Sequence, residues 1–80
     1  MTPAQSRAAR GLLSMTQTGL AKAAGLGQST VIDFEKERRT VSDQAVAAIR
    51  AALEAAGVVF IPENGGGAGV RLAKPGGAGA

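Results

Sequence analysis

The stretch MTQTGLAKAAGLGQSTVIDFEKERR, Met15 to Arg39, constrains the fold more than any other. It reads as two short helices joined by a tight turn. The Thr16 hydroxyl is placed to accept from a backbone N–H two or three residues on, which opens the first of them. Met15 before that cap and Leu20 one turn inside it form a hydrophobic staple. Leu20, Ala21 and Ala24 make a single apolar face. Gly25 ends the helix, because a positive φ is cheap only for glycine. After Leu26 and Gly27, a second helix is predicted from Gln28 to about Lys36.

At about 100° per residue, the second helix divides into two arcs. Gly27, Thr30, Val31, Phe34 and Glu35 share one arc, and Val31 and Phe34 direct it toward a core. Gln28, Ser29, Ile32, Asp33 and Lys36 share the other, polar apart from Ile32. Gln and Ser at the N-terminal end, with Lys36, Arg38 and Arg39 at or just past the other end, have the chemistry of a helix that reads a DNA groove.

Upstream, Thr2-Pro3-Ala4-Gln5 opens another helix: Thr2 caps, Pro3 takes the first position, and Gln5 reaches back as a capping box. That helix is predicted to run to about Leu13. Its inward stripe is Ser6, Ala9, Arg10 and Leu13, with Ala8 and Leu12 beside it. An arginine on an inward stripe requires a partner. Glu35 is the natural one, so an Arg10–Glu35 ion pair is expected to tie the first helix to the third; otherwise Arg10 lies at the rim and reaches water. Downstream, Ser42 caps a long amphipathic helix from Asp43 to about Ala56. Val41 and Val46 form its staple, Ala45, Val46, Ile49, Ala52, Leu53 and Ala56 its apolar face, and Gly57 its stop.

The period then changes. Val58 to Ile61 is a β-rich run ended by Pro62, and Gly69 to Leu72 is a weaker strand candidate, so a hairpin with a wide turn is predicted. Two strands alone are marginal. Support is expected from the long helix or from the same hairpin of a second subunit. Ala73 to Ala80 has no period and reads as a mobile tail. The expected layout is residues 1–57 as a helical domain, 58–72 as a hairpin, and 73–80 as tail.

Eighty residues with only two aromatics, Phe34 and Phe60, make one domain with a small core. Cysteine and histidine are both absent. No disulfide, Cys-based zinc site or His-activated hydroxyl is available, no metal cluster or cofactor site is apparent, and an enzyme is not expected. The run Gly65 to Gly69 fits neither a P-loop nor G-x-G-x-x-G, and reads as a turn. Homodimerisation is the remaining source of stability. Leu53 and the strand residues Val58, Phe60 and Ile61 are its candidate elements, by edge pairing across a two-fold. A net charge of +3 suits a nucleic-acid partner. Nothing reads as a signal peptide, acylation motif or membrane-length apolar run, so a soluble cytoplasmic protein, nucleoid-associated when on DNA, is expected.

Thr16-Gln17, Leu20-Ala21, Gly25, Thr30-Val31 and Phe34-Glu35 together fit T-Q-x-x-L-A-x-x-x-G-x-x-x-x-[ST]-[IV]-x-x-[FLW]-E, a pattern that resembles the Cro/C1-type, or lambda-repressor-like, helix-turn-helix family. Residues 5–49 are covered, and the hairpin with its Gly-rich turn is similar to the tail of small bacterial regulators of this type. The resemblance implies a mainly α fold, four helices followed by a C-terminal β-hairpin. It implies a homodimeric transcriptional regulator, repressor or activator, that binds double-stranded DNA sequence-specifically through the major groove. Thr16 and Gln17 would hold a phosphate, with Lys36, Arg38 and Arg39 contacting the backbone nearby. Gln28, Ser29, Ile32 and Asp33 would face base edges, and Arg10 with Glu35 would be the structural pair. Gly19 departs from the acidic residue common at its position, and Glu37 stands where a glycine often ends the reading helix. The alternative is a protein-interaction module, antitoxin-like or an anti-activator partner, using the same helices without DNA.

Overall fold

A computed structural model describes residues 1–73. Four helices are followed by two strands: α1 (Pro3–Leu13), α2 (Gln17–Ala24), α3 (Gln28–Glu35), α4 (Asp43–Ala56), β1 (Val58–Ile61) and β2 (Gly69–Leu72). The fold is mainly helical with a small antiparallel C-terminal hairpin, as expected. Most boundaries follow local chemistry. Thr2, Thr16 and Ser42 each accept a backbone N–H through the side-chain oxygen at the starts of α1, α2 and α4. Thr2 and Gln5 complete a reciprocal capping box.

All four helices end with a left-handed residue that lets the chain fold back on the last carbonyls, at α4 Gly57 with φ 119°. At α2 that residue is Gly25, with φ 70°. At α1 and α3 it is Ser14, with φ 52°, and Glu37, with φ 56°. The amides of Arg38 and Glu37 return to the carbonyls of Asp33 and Phe34, a closing pattern that forces the positive φ on Glu37. Lys36 caps α3, so the helix stops one residue short of the predicted end.

One cluster forms the core. Leu20, Val31, Phe34, Val41, Ile49, Leu53, Val58 and Phe60, with Ala9, Ala21 and Ala45, bring all four helices and β1 together. Burying a side chain of the Leu, Ile or Phe class contributes about 1.5–3 kcal/mol. With so few large residues, each one matters. The α1 stripe is the expected one, with Arg10 and Leu13 half-buried along it, but the residue buried beside it is Gln5 rather than Ala8 or Leu12. Gln5, Ser6 and Ala9 are buried, whereas Ala8 is exposed and Leu12 is 43% exposed. The reason is the hairpin, which packs on α1 and takes up Gln5: its Nε2 donates to the carbonyls of Gly69 at 2.7 Å and Ile61 at 3.3 Å. Ala56, expected on the apolar face of α4, is exposed where that helix runs past the core.

The hairpin pairs within the chain, with Val58 opposite Leu72, Val59 opposite Arg71, Phe60 opposite Val70 and Ile61 opposite Gly69. Ala73, expected in the tail, extends this pairing through its N–H to the Gly57 carbonyl at 2.7 Å. The remainder of the expected tail, residues 74–80, lies outside the described residues. Val58 and Phe60 point into the common core, so the hairpin completes the helical body rather than standing beside it as a separate unit.

Among the polar groups of the interior, Glu35 is the centre. It is 1% exposed. Arg10 Nε lies 3.0 Å from each of its carboxylate oxygens, and Arg10 Nη2 2.7 Å from Oε1. Ser6 Oγ donates to Oε2, and Gln17 Nε2 donates to Oε1 at 3.1 Å. Three helices thus meet on one carboxylate. Arg10 Nη1 adds a bond to the Met15 carbonyl at 3.1 Å, which fixes the turn between α1 and α2. Burial pushes the Glu35 carboxyl up, but the hydrogen bonds from Arg10, Ser6 and Gln17 and the Arg10 charge outweigh it and hold the group below its ordinary value.

Two outcomes are expected. Because the folded carboxyl is the stronger acid, its stabilisation is complete above the ordinary glutamate range near pH 4.5 and is lost as pH falls through the lower folded value. The urea midpoint of the wild type should therefore fall with acid in that window. Arg10→Met, which leaves Glu35 buried without its cation, should cost about 3 kcal/mol at neutral pH and show a smaller acid loss. Secondly, Glu37→Gly should raise stability by about 0.5–1 kcal/mol, the left-handed penalty removed less the extra chain freedom of glycine, read as a higher melting temperature.

Candidate nucleic-acid interface

The outward face of α3 follows from its inward one. Val31, Phe34 and Glu35 are buried, and their spacing turns Gln28, Ser29, Ile32, Asp33 and Lys36 to the other side. Gln28 and Ser29 are exposed at the N-terminal end. Gly27 precedes them without a side-chain cap, so no side chain covers the first backbone amides of the helix. Ile32 and Asp33 are half-buried, and Lys36 and Arg38 exposed.

Asp33 and Arg39, expected to act apart, are brought together. Arg39 Nε donates to Asp33 Oδ2 at 2.8 Å. The loop after α3 thereby folds its last arginine back along the helix, and the negative charge on the presented face gains a partner.

Thr16 and Gln17 lie at the start of α2. Thr16 is exposed; its oxygen accepts the Gly19 amide at 2.9 Å, leaving its hydroxyl hydrogen to point elsewhere. A Cβ on Gly19 would sit 3.2 Å from that hydroxyl oxygen, a tight approach. Gln17 is half-buried and gives one amide hydrogen to Glu35, leaving the second for another acceptor. The same carboxylate that joins the helices therefore orients Gln17.

Arg7 is a residue that sequence reasoning missed. Its Nη1 donates to the backbone carbonyl of Glu35, placing a cation at the C-terminal end of α3. The available signal was its position three residues before Arg10, on nearly the same side of α1.

The residues expected at a dimer contact are placed otherwise. Leu53 is 0%, Val58 3% and Phe60 8% exposed, all in the core of the single chain, and Ile61 is half-buried. The side chains of Leu53, Val58 and Phe60 are taken up by the small core, whereas Ile61 keeps part of its surface. Val59, opposite Arg71 on the outer face of the hairpin, is exposed instead.

Among the described residues, no group of three or more carboxylate, His or Cys side chains is placed to hold a metal, and no helix is long and apolar enough to cross a membrane. No curated protein matches the chain. A family model described as helix-turn-helix matches residues 7–56, more than half the chain, and spans α2, the turn and α3. That family is a DNA-binding, regulatory one rather than a family of enzymes. With the capped α2, the Gly25 turn and the outward polar face of α3 in the matching register, the chain belongs to the Cro/C1-type helix-turn-helix family.

Proposed function

We propose that this protein is a transcriptional regulator that binds a specific double-stranded DNA sequence as a homodimer. The observation that carries the reading is the presentation of α3: its apolar side is locked into the core, and Gln28 and Ser29 stand exposed at its leading end. In this reading α3 enters the major groove N-terminal end first. Gln28 and Ser29 donate to or accept from base edges, and Ile32 meets a thymine methyl. α2 crosses the backbone, with the Thr16 hydroxyl, the free amide hydrogen of Gln17 and the positive end of the helix holding a phosphate. Lys36 and Arg38 contact phosphates beside the groove and supply the salt-dependent part of affinity.

Two copies related by a two-fold would set two α3 helices about 34 Å apart, one turn of duplex. The contact then has to use surface left over by the core. The backbone of β1 and the exposed side chain of Val59 are the parts of the earlier dimer element that meet this requirement.

Two measurements test this. In a salt-titrated duplex-binding assay with its own promoter region and unrelated DNA, the wild type should prefer the former. The Gln28→Ala, Ser29→Ala double variant should lose that preference while keeping most of the salt dependence; an unchanged preference removes these two residues from base reading. Sedimentation of the free protein at micromolar concentration should show a dimer, and Val59→Asp should shift it to monomer with the helical signal intact. A monomeric wild type removes the homodimer.

A further inference from the structure

We infer that Asp33 is a positioning residue for Arg39, and that Arg39 reads a guanine in the major groove rather than a phosphate. The inference rests on the DNA-binding reading above and concerns how α3 discriminates between bases.

Asp33 lies one helical turn after Ser29, on the same outward face, with its side chain 21% exposed. A carboxylate alone there opposes any approach to phosphate. It is not alone, because Arg39 reaches it from the loop that follows α3. The bond uses Arg39 Nε and Asp33 Oδ2, and among the described residues it is the only hydrogen bond that the Arg39 guanidinium makes. Nη1 and Nη2 are both left without a protein partner. They form the outer edge of the planar fork, the geometry that meets the O6 and N7 of guanine.

The pair contributes little to the fold. The Arg39 side chain is 52% exposed, and exposed ion pairs are worth little in stability. Its consequence is placement. An arginine free at the end of a loop samples many rotamers and meets phosphate wherever it lands. One held by Nε against the middle of a recognition face keeps its fork over the groove. The left-handed turn at Glu37 contributes, since it reverses the chain so that residue 39 comes back within 2.8 Å of residue 33. Asp33 then contributes to base choice through Arg39 without accepting from cytosine itself.

A binding-site selection from randomised duplex, carried out on the full chain, separates the roles. The wild type should select guanine at one position of each half-site. Arg39→Lys keeps the charge and abolishes the fork; it should lose that guanine preference, on the order of 10-fold or more, with an unchanged salt slope. Asp33→Ala should lose preference at the same position, and Asp33→Asn, which retains an acceptor for Nε, should keep it. If Arg39→Lys selects the same sites as the wild type, Arg39 is a phosphate contact and the inference fails while the DNA-binding reading stands. If Asp33→Ala alters a different position from Arg39→Lys, Asp33 contacts a base directly, and the inference fails likewise. A wild type without affinity for any duplex overturns both.

Discussion

Glu35 is the constraint from which the arrangement of this small protein follows. A carboxylate that is 1% exposed is costly unless its oxygens are occupied. Here they receive an arginine and a serine from α1 and a glutamine from α2, while the residue itself belongs to α3. Each donor fixes one helix relative to another, and the directionality of the bonds supplies what a small core of non-directional apolar contacts cannot. Apolar contact brings α1, α2 and α3 near one another. The carboxylate selects their rotation, and that rotation decides which side of α3 meets solvent. The exposed face of the helix is in this sense defined from within.

Much of this was legible in the residues. Caps at Thr2, Thr16 and Ser42 and stops at Gly25 and Gly57 gave the helix boundaries, because capping depends on neighbours only a few positions away. Arg10 on an inward stripe drew attention to Glu35 because an apolar environment leaves an arginine few choices. What escaped depended on contacts distant in sequence. The burial of Gln5 depends on hairpin carbonyls more than fifty residues away, which it reaches only in the folded chain. The link between Asp33 and Arg39 required the left-handed turn at Glu37, which no side-chain pattern announces.

The burial of Leu53, Val58 and Phe60 within the single chain escaped for a different reason. An apolar four-residue strand in a short chain can satisfy itself against its own helices or against a second subunit, and composition does not distinguish the two. The scarcity of large side chains decides it here. With two aromatics in the chain, the core cannot release Phe60 to a partner, and Val58 and Leu53 follow it inward. The exposed Val59 and the hairpin backbone are then what a second copy would meet.

The Gln5 side chain links regions that the family pattern treats as unrelated. One end of its amide accepts from Thr2 at the start of α1, and the other donates to the last paired residues of β1 and β2. The helix-turn-helix match stops at residue 56, yet the amide network and the core both continue past it to Phe60 and Gly69. The recognisable module is therefore shorter than the cooperative one. Grafting only the matched segment onto another protein would leave behind both partners of the α1 cap, Thr2 and Gln5, together with the strands that Gln5 holds.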